Sequence, residues 1–553
     1  MPDLPLEAHD DDERTYPAAT AGWYDCLMLT TSTRLTEVLL LGTLITAPVA
    51  CVAEEKPPGK DKPVAGSRSL GDPLLPQLGN GGYDARHYLI ELGYDPTANH
   101  FDEATTTVQA RATKTLSQFS LDFQDDLEVT GVTVGGRTAQ YAFEDATPQL
   151  SDNPTVTQPQ KLVVTPQSST RPRAGHEFTV EVRYRGTPVQ FTDPDESSEG
   201  WIRACYPLRA PQTCDGSFVV NEPMGAQSWF PSNNHPTDKA TFETRITVPS
   251  SKTALGIGEL DSRKTNRDGT TTWRWTEDDP TATYLTTATV GDFDLSVGAM
   301  TETSTRRKLP VYNAIDSSAS PTQKAAIHAS LERAPEQVNF LSSLFGRYPF
   351  DSTGAVADRA ADVGYALEVQ TKPHYSGGFT NGNPSISLGI QLHELAHQWV
   401  GNSVPLQAWS DIWFNEGWAN WAEWWWQFRE NGGDDPADVF DDLYEKTPAE
   451  DWELAPAVLA GDPANIFEQF PTYQRGAMTI QGYREIVGDI VFFRFVKELA
   501  SRFEHDNIST REFIAFAVAR SGLRSTDRAL LSDYFEQWLY GETKPTILPE
   551  DLR

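Results

Sequence analysis

The sequence is poor in cysteine, in positive charge and in long apolar segments. Its 553 residues include four cysteines, too few and too scattered for a disulfide scaffold or a four-thiolate zinc site. Lysine and arginine total 45 against 78 aspartate and glutamate residues, which gives a formal net charge of −33. This surplus disfavours non-specific binding to nucleic acid or to an anionic membrane, so we expect no nucleic-acid partner. The sequence also has no Walker-type phosphate loop and no GxSxG nucleophile elbow.

The one sustained apolar run covers residues 38–49 and is too short to span a bilayer as a helix. It suits the apolar region of a secretory signal, although the segment 1–13 before it is acidic rather than basic. A start at Met28 would remove that acidic segment and leave Arg34 as the cation ahead of the run. We therefore expect residues 1–53 to be an N-terminal extension and signal peptide, and the mature chain to have no transmembrane span.

Residues 54–80 are rich in proline, glycine and charge, and are predicted to be a linker. Cys51 lies at the expected processing site, where a lipid anchor is the less favoured alternative to ordinary cleavage. In an oxidising compartment Cys205 and Cys214 are candidates for a disulfide. These features predict an exported protein, either secreted or associated with the cell envelope.

The hydrophobic period changes once along the chain. Residues 83–295 alternate between apolar and polar, which predicts an N-terminal antiparallel β-sandwich or saddle-like domain over 81–302. Apolar residues after 304 recur at helical spacing, which predicts a mainly helical domain over 303–553 and a multidomain α+β fold. The predicted helices cover 321–345 with a break near Pro335, 392–400, 416–429, 472–486 and 530–540.

The helical half contains the pattern HExxH, formed by His393, Glu394 and His397. A spacing of four residues places both imidazoles on one helix face, where they can bind a single zinc ion. Glu416 follows His397 after eighteen intervening residues and opens a second predicted helix, which makes it the candidate third ligand. A site with two imidazoles and one carboxylate keeps a position open for water, which zinc activates as the nucleophile. Glu394 would then act as the general base.

Two further patterns surround these residues. Asp411 and Glu423 are close to Glu416 in sequence and are candidates for orienting the ligand imidazoles. An aromatic run that includes Trp418 and Trp421 follows Glu416 at partly helical spacing, and is expected to pack as core between the two domains.

The strings HELAHQW and NEGWA, separated by this spacing, resemble the zinc signature of the aminopeptidase N family of gluzincin metallopeptidases. The resemblance extends over about residues 83–549, nearly the whole predicted mature chain. It implies a thermolysin-like catalytic domain with one zinc ion per chain, in a short form without the large C-terminal helical domain of long family members. Other similar segments are 222–226, 229–231, 235–240, 346–350 and 473–477.

The resemblance also implies roles for three more residues. Tyr473 corresponds to the family's catalytic tyrosine, whose phenol stabilises the oxyanion. Glu222 and Glu368 correspond to the carboxylates that anchor the substrate's α-ammonium group. The segment around Glu368 departs from the family's GAMEN pattern, because Tyr365 replaces its glycine and Val369 its asparagine.

The sequence therefore predicts a zinc aminopeptidase that acts on peptides with a free N-terminus. One alternative is an endopeptidase or bifunctional hydrolase that uses the same site. The other, from a different functional class, is a non-catalytic binding module on the same fold, which the intact ligand set and Glu394 disfavour.

Overall fold

The computed structural model describes residues 62–206, 212–359, 363–376 and 385–552. The expected signal peptide, the Met28 start and Cys51 lie outside these ranges. The strands are β1 (Val64–Ala65), β2 (Tyr83–Asp95), β3 (His100–Ala112), β4 (Leu116–Asp122), β5 (Glu128–Val134), β6 (Arg137–Thr138), β7 (Gln140–Asp145), β8 (Gln160–Thr165), β9 (Glu177–Gly186), β10 (Gln190–Thr192), β11 (Ser198–Tyr206), β12 (Thr213–Val220), β13 (Ala240–Pro249), β14 (Thr253–Leu255), β15 (Glu259–Thr265), β16 (Thr270–Thr281), β17 (Thr289–Gly291), β18 (Phe293–Thr301), β19 (Lys308–Asp316), β20 (Thr353–Asp358), β21 (Ala366–Leu367) and β22 (His374–Ser376). The α-helices are α1 (Pro321–Leu331), α2 (Ala334–Phe345), α3 (Leu388–His397), α4 (Trp413–Glu430), α5 (Pro436–Lys446), α6 (Gly476–Val487), α7 (Asp489–Arg502), α8 (Thr510–Arg520) and α9 (Ser525–Tyr540).

The N-terminal half is built on an eight-stranded sheet in the order β15-β16-β13-β2-β3-β9-β5-β6. In β13 the predicted alternation holds, since Phe242, Ile246 and Val248 are buried on one face. Their side chains share one core with residues of a four-stranded sheet (β1-β4-β8-β7) and a five-stranded sheet (β10-β11-β12-β17-β14). The sheets are not wholly antiparallel, because β13 pairs with β2, and β1 with β4, in parallel.

A further five-stranded sheet, in the order β18-β19-β20-β22-β21, begins the second half of the chain. The predicted domain boundary at residue 302 divides this sheet, because β18 pairs with β19 along its whole length. Apolar and polar residues still alternate along most of β18, and the helical period begins only at α1. Strand β21 lies at the edge of the sheet and ends directly before Glu368.

The remainder of the chain is mainly helical, which confirms the predicted succession of a β-rich half and a helical half. Ser320 and Gln323 form a capping box that starts α1, and Pro335 lies in the first turn of α2, where a proline ring is tolerated. Helices α5, α7 and α8 are additional to the predicted ones. No helix within the described ranges is both long enough and apolar enough to cross a bilayer.

The tryptophans of α4 form the core of the helical half. Phe492 of α7 stacks on Trp418 with ring centroids 6.1 Å apart and meets Trp421 edge-on at 5.0 Å. The expectation that this run packs between the two domains is therefore wrong. Its aromatic face is covered by α7 and the other helices of the same half, so its burial stabilises α4 itself.

The segment 62–80 is packed against the protein, contrary to the prediction of a linker over 54–80. Leu75 and Leu78 are fully buried in a cluster that includes Trp409 and Ile412 of the helical half. The buried carboxylate of Asp72 accepts hydrogen bonds from the backbone amides of residues 74 and 75 in its own segment and of Trp409. The leucines of this segment do not recur at a helix or strand spacing, so the sequence did not predict their burial. They nevertheless anchor the segment to residues of both halves.

The Asp72 contacts predict a pH-dependent contribution to stability. Burial alone would raise the pKa of Asp72, but hydrogen bonds from His235 and from the backbone amides lower it from its ordinary 3.8. The contribution is therefore present above about pH 3.8 and is lost as the pH falls through the lower pKa of the folded state. Asp72→Asn should lower the free energy of unfolding by about 1.5–3 kcal/mol at pH 7.

Urea unfolding at pH 7 and at pH 3 checks this prediction, with Asp102→Asn on an exposed strand position as the matched control. The difference in the free energy of unfolding between Asp72→Asn and the wild type should be smaller at pH 3 than at pH 7. An equal difference at both pH values would contradict the claim that the ionised carboxylate of Asp72 stabilises the fold.

Candidate active site

Helices α3 and α4 bring the three predicted ligands together. The Nε2 atom of His393 lies 3.1 Å from Oε2 of Glu416, and the Nε2 atom of His397 lies 3.4 Å from the same oxygen. Two ligand atoms on a tetrahedral zinc ion are about 3.3–3.4 Å apart, so this donor set fits zinc. The sequence spacing therefore translates into a metal-ligating geometry.

Two glycines allow the helix that carries Glu416 to approach its neighbour. A Cβ atom added to Gly417 in α4 would lie 2.8 Å from the carbonyl carbon of Gly476 in α6, closer than side-chain atoms pack. The backbones of α4 and α6 can cross at this distance only without side chains. The crossing brings the π-helix Gln469–Arg475, which contains Tyr473, close to Glu416.

The second ring nitrogen of one ligand imidazole has a hydrogen-bond partner, and that of the other has an acidic neighbour. Nδ1 of His397 donates to the carbonyl oxygen of Val400 at 3.1 Å, which leaves Nε2 free to bind a metal. Nδ1 of His393 lies 4.0 Å from a carboxylate oxygen of Glu423, which is too far for a hydrogen bond, so an orienting role for Glu423 stays a prediction. Asp411 has a different partner from the one expected.

The carboxylate of Asp411 accepts from the backbone amide of Thr510 at 3.0 Å and from the hydroxyl of the same residue at 2.6 Å. It therefore holds the first turn of α8 rather than a ligand imidazole. Its position three residues after Ala408, in a short turn before α4, directs it away from the imidazoles. The closeness of Asp411 to Glu416 in the sequence could not show whether its carboxylate points to a ligand imidazole or to α8.

Glu394 is buried beside the ligands. Burial raises the pKa of its carboxyl well above the ordinary value, and the nearby Glu368 and Glu416 raise it further, while His397 opposes them. Glu416 behaves in the opposite way: burial would raise its pKa, but the imidazoles of His397 and His393 lower it to about 2. The three carboxyl groups thus share one electrostatic environment.

Tyr473 lies beside the ligand set, with its ring centroid 6.0 Å from that of His393. Burial and the charge of Glu416 raise the pKa of the phenol well above 10, so it stays protonated and can donate. Asn420 of α4 donates to the carbonyl oxygen of Tyr473 at 3.2 Å. The fully buried guanidinium of Arg475 donates to five carbonyl groups and so fixes the same turn both to the end of α9 and to the segment 452–454.

Glu222 and Glu368 approach the ligand set from the two halves of the chain. They are 8% and 2% exposed, and among the described residues Oε1 of each lacks a hydrogen-bond partner. Carboxylate oxygens of Glu222, Glu368 and Glu416 lie within 4.8 Å of one another. Burial raises the pKa of Glu222 well above its ordinary range, and the charges of Glu368 and Glu416 add to this.

Side chains that the sequence analysis did not identify hold these two glutamates in place. Gln398 and Asn402 donate to the carbonyl oxygen of Glu368 at 3.2 and 2.8 Å. The buried carboxylate of Glu199 accepts from the backbone amide of Met224, next to Glu222, at 3.0 Å. Gln398 directly follows the HExxH pattern, so the sequence could have indicated that it lies near the site. No sequence pattern indicated the same for Glu199.

Cys205 and Cys214 are joined by a disulfide with an S–S distance of 2.03 Å. The bond links the paired strands β11 and β12, and β12 ends two residues before Glu222. It therefore closes the hairpin from which the Glu222 loop extends.

Comparisons with known proteins agree with this geometry. Residues 84–285 match the family model for the peptidase M1 N-terminal domain, and residues 385–538 match that for the peptidase family M1 domain. The chain is 26% identical over 369 residues to aminopeptidase M1-D of Oryza sativa subsp. japonica and 24% identical over 379 residues to glutamyl aminopeptidase of Sus scrofa. These matches cover 63% and 64% of this chain, but only 39% and 37% of the relatives, so the chain spans about two fifths of their length.

Among solved structures, the M1 zinc metallopeptidase from Deinococcus radiodurans matches with a TM-score of 0.71 and 25% identity, over 87% of this chain and 99% of that one. A mutant form of that protein, bound to a Tyr-Ser-Ala substrate, matches with a TM-score of 0.71 and 26% identity over the same shares. The two family models together cover more than half of the chain, and both halves of the fold agree with them. The chain belongs to peptidase family M1, the aminopeptidase N family of zinc metallopeptidases.

Proposed function

We propose that this protein is a zinc-dependent aminopeptidase that removes N-terminal residues from peptides. One observation carries the proposal: two buried glutamates, each with an unpartnered oxygen, lie beside a ligand set of two histidines and one glutamate. A ligand set alone would suit any hydrolase of this type. The added pair of carboxylates favours a substrate with a positive charge close to the bond to be cleaved.

His393, His397 and Glu416 would hold one zinc ion per chain, since their ligand atoms have the separation that tetrahedral coordination requires. When bound, zinc supplies a Lewis acid that polarises the peptide carbonyl and acidifies a water molecule. The hydrogen bond from His397 to the carbonyl oxygen of Val400 would keep Nε2 of that imidazole available to the ion.

Glu394 would take the proton from the attacking water and deliver a proton to the leaving amine. Its carboxyl is buried next to His397 and the other acidic groups, and burial raises its pKa above the ordinary value, which strengthens it as a proton acceptor. The phenol of Tyr473 would donate a hydrogen bond to the oxyanion that forms on the carbonyl carbon. The neighbouring contacts of Asn420 and Arg475 would keep that phenol in place.

Glu222 and Glu368 would bind the α-ammonium of the substrate. An ammonium group offers three donors, which match the unpartnered oxygens of two carboxylates held by separate segments. Their distance from the ligand set would fix the first peptide bond, rather than an internal one, at the catalytic groups. The tripeptide substrate of the Deinococcus radiodurans relative and the names of the curated relatives support this reading.

We also propose that the protein is exported. The disulfide between Cys205 and Cys214 supports an oxidising compartment, because such bonds are rarely maintained in the cytosol. A signal peptide within residues 1–53 would provide the route.

Acetylation of the substrate's amino group should strongly reduce its hydrolysis, because the charge that Glu222 and Glu368 are proposed to bind is then lost. We expect kcat/KM for an amino-acyl anilide to exceed that for its N-acetylated form by at least about 30-fold, the equivalent of about 2 kcal/mol for one buried charged contact. Glu222→Gln and Glu368→Gln should shrink this ratio, mainly through a higher KM for the free amine.

Glu277→Gln is a suitable control for these variants. Glu277 is equally buried, and it is not among the carboxylates grouped with the ligand histidines, so its replacement tests the loss of a buried carboxyl outside the site. Equal rates for the free and the acetylated substrate would favour the alternative of an endopeptidase.

Removal of the Tyr473 hydroxyl should affect the transition state and leave the metal site intact. We expect Tyr473→Phe to lower kcat by about 10²–10³-fold with little change in KM. Zinc content and melting temperature should match those of the wild type. An unchanged kcat would remove Tyr473 from the mechanism.

Metal analysis separates the ligands from the general base. Purified His397→Ala and Glu416→Ala should lose zinc, whereas Glu394→Gln should retain one equivalent and lose activity by about 10²–10⁴-fold. His328→Ala, on the exposed face of α1, is the matched histidine control and should retain both zinc and activity. Full zinc content in His397→Ala would contradict the assigned ligand set.

A further inference from the structure

A tyrosine of the β-rich half lies between the two helices that carry the predicted zinc ligands. Tyr284 belongs to a short 3₁₀ turn, Thr283–Leu285, between β16 and β17, and it is 1% exposed. Its hydroxyl donates to the carbonyl oxygen of Gly401 at 3.2 Å, in the turn that follows α3. The same hydroxyl oxygen accepts from Nδ2 of Asn415 in α4 at 3.4 Å. One phenol of the β-rich half therefore bridges α3 and α4.

Each end of this bridge adjoins a predicted ligand. Gly401 follows Val400, whose carbonyl oxygen accepts from Nδ1 of His397 at 3.1 Å. Asn415 directly precedes Glu416 in the first turn of α4. The hydroxyl thus holds the backbone next to the carbonyl group that orients one ligand, and it also holds the side chain next to the other ligand.

The turn after α3 is packed closely against the imidazole of His397. A Cβ atom added to Gly401 would lie 3.1 Å from Nδ1 of His397 and 3.5 Å from the side-chain amide of Asn415. The φ angle of Gly401 is +126°, a region that favours glycine. Because the turn has so little space, a shift of the Gly401 carbonyl group would move the turn against the ring. The position of the imidazole therefore depends on what holds that carbonyl group.

The phenol of Tyr284 keeps the proton that this contact needs. Burial raises the pKa of the phenol well above 10. The charges of Glu368, Glu222 and Glu416 raise this pKa further. The hydroxyl therefore stays protonated at neutral pH and donates to the carbonyl oxygen, without adding a charge to an acidic site.

The turn that carries Tyr284 is itself held in place. The hydroxyl of Thr283 donates to Oδ1 of Asn234 at 2.5 Å, within the β-rich half. The ring of Tyr284 meets that of Trp409 edge-on, with ring centroids 5.2 Å apart. The phenol is thus fixed before any metal binds, so it can determine where the turn after α3 lies.

We propose that Tyr284 is a positioning residue for the ligands His397 and Glu416, and that its hydroxyl makes zinc affinity depend on the docking of the β-rich half. The inference rests on the proposed function in one respect, since it takes His397 and Glu416 as zinc ligands. The hydroxyl bonds to the segments beside these ligands rather than to the ligands themselves. Its loss should leave the ligand set complete but allow the imidazole and the carboxylate more relative movement.

Zinc affinity of the full chain tests the proposal without any activity measurement. Tyr284→Phe removes only the bridging oxygen, and we expect it to weaken zinc binding by about 10–100-fold, the usual effect of losing an outer contact of a metal site. The dissociation constant is measured at neutral pH by competition with a chromogenic chelator, with Zn²⁺ below one equivalent. His397→Ala serves as a blank for weak binding by the acidic surface.

Tyr483→Phe is the matched control for this measurement. Tyr483 is equally buried, and its hydroxyl donates to the carbonyl oxygen of Ala517 at 2.9 Å, between α6 and α8. The control therefore loses a comparable hydrogen bond away from the ligands, and it should bind zinc as tightly as the wild type.

A double-mutant cycle tests whether the hydroxyl acts as a bridge. Asn415→Ala removes one partner of the phenol and should also weaken zinc binding. Since Tyr284→Phe already removes that contact, the double variant should bind zinc about as weakly as the weaker single variant. Fully additive losses would show that the two side chains act separately, and would overturn the bridge.

Two further results would overturn the proposal. One is a zinc dissociation constant for Tyr284→Phe equal to that of the wild type. The other is an equal loss of affinity in Tyr483→Phe, since the effect would then belong to general stability. A wild type that binds no more zinc than the His397→Ala blank would overturn the ligand assignment of the proposed function as well, so the two failures are distinguishable.

Discussion

Repulsion among buried carboxylates is the constraint on which the rest of this structure depends. Burial and like charge raise the pKa values of Glu222 and Glu394, while the same negative field overcomes the burial of His397 and raises its pKa to about 10. Such a cluster favours cations over neutral groups at every position. The proposed zinc ion and the proposed contact with the substrate's ammonium group would each place a positive charge among these carboxylates.

The fold holds the cluster together by fixing short segments from both halves. The turn after Glu368 is attached to the helical half through Gln398, which accepts from the backbone amide of Thr371 at 2.8 Å. The same turn is attached to the β-rich half, because Thr371 accepts from the backbone amide of Gly258 at 2.9 Å and Lys372 donates to the carbonyl oxygen of that glycine. The contacts between the two halves therefore also hold the candidate active site together.

The parts of the fold that could be predicted from the sequence are those with a repeating signal. The alternation along β13 and the spacing of HExxH each predict which side chains share one face of a strand or helix. The position of Glu416 was predictable because a short connection between two helices lets the second pack against the first. The packing of Leu75 and Leu78 has no period, so it could not be separated from a linker. The partner of Asp411 was not predictable either, because the direction of a side chain in a turn depends on backbone angles that residue type does not fix.

The departure from the family pattern at Tyr365 shows how such angles are held. Where the family has glycine, the phenol of Tyr365 donates to the carbonyl oxygen of Ser198 at 2.7 Å. The next residue, Glu199, accepts from the amide of Met224 and so holds the loop of Glu222. The two segments that carry Glu222 and Glu368 are thereby joined through the first residues of one strand. A tyrosine at this position restricts the backbone more than a glycine would. Because both segments are bonded to the start of strand β11, that strand helps to set the distance between the two carboxylates.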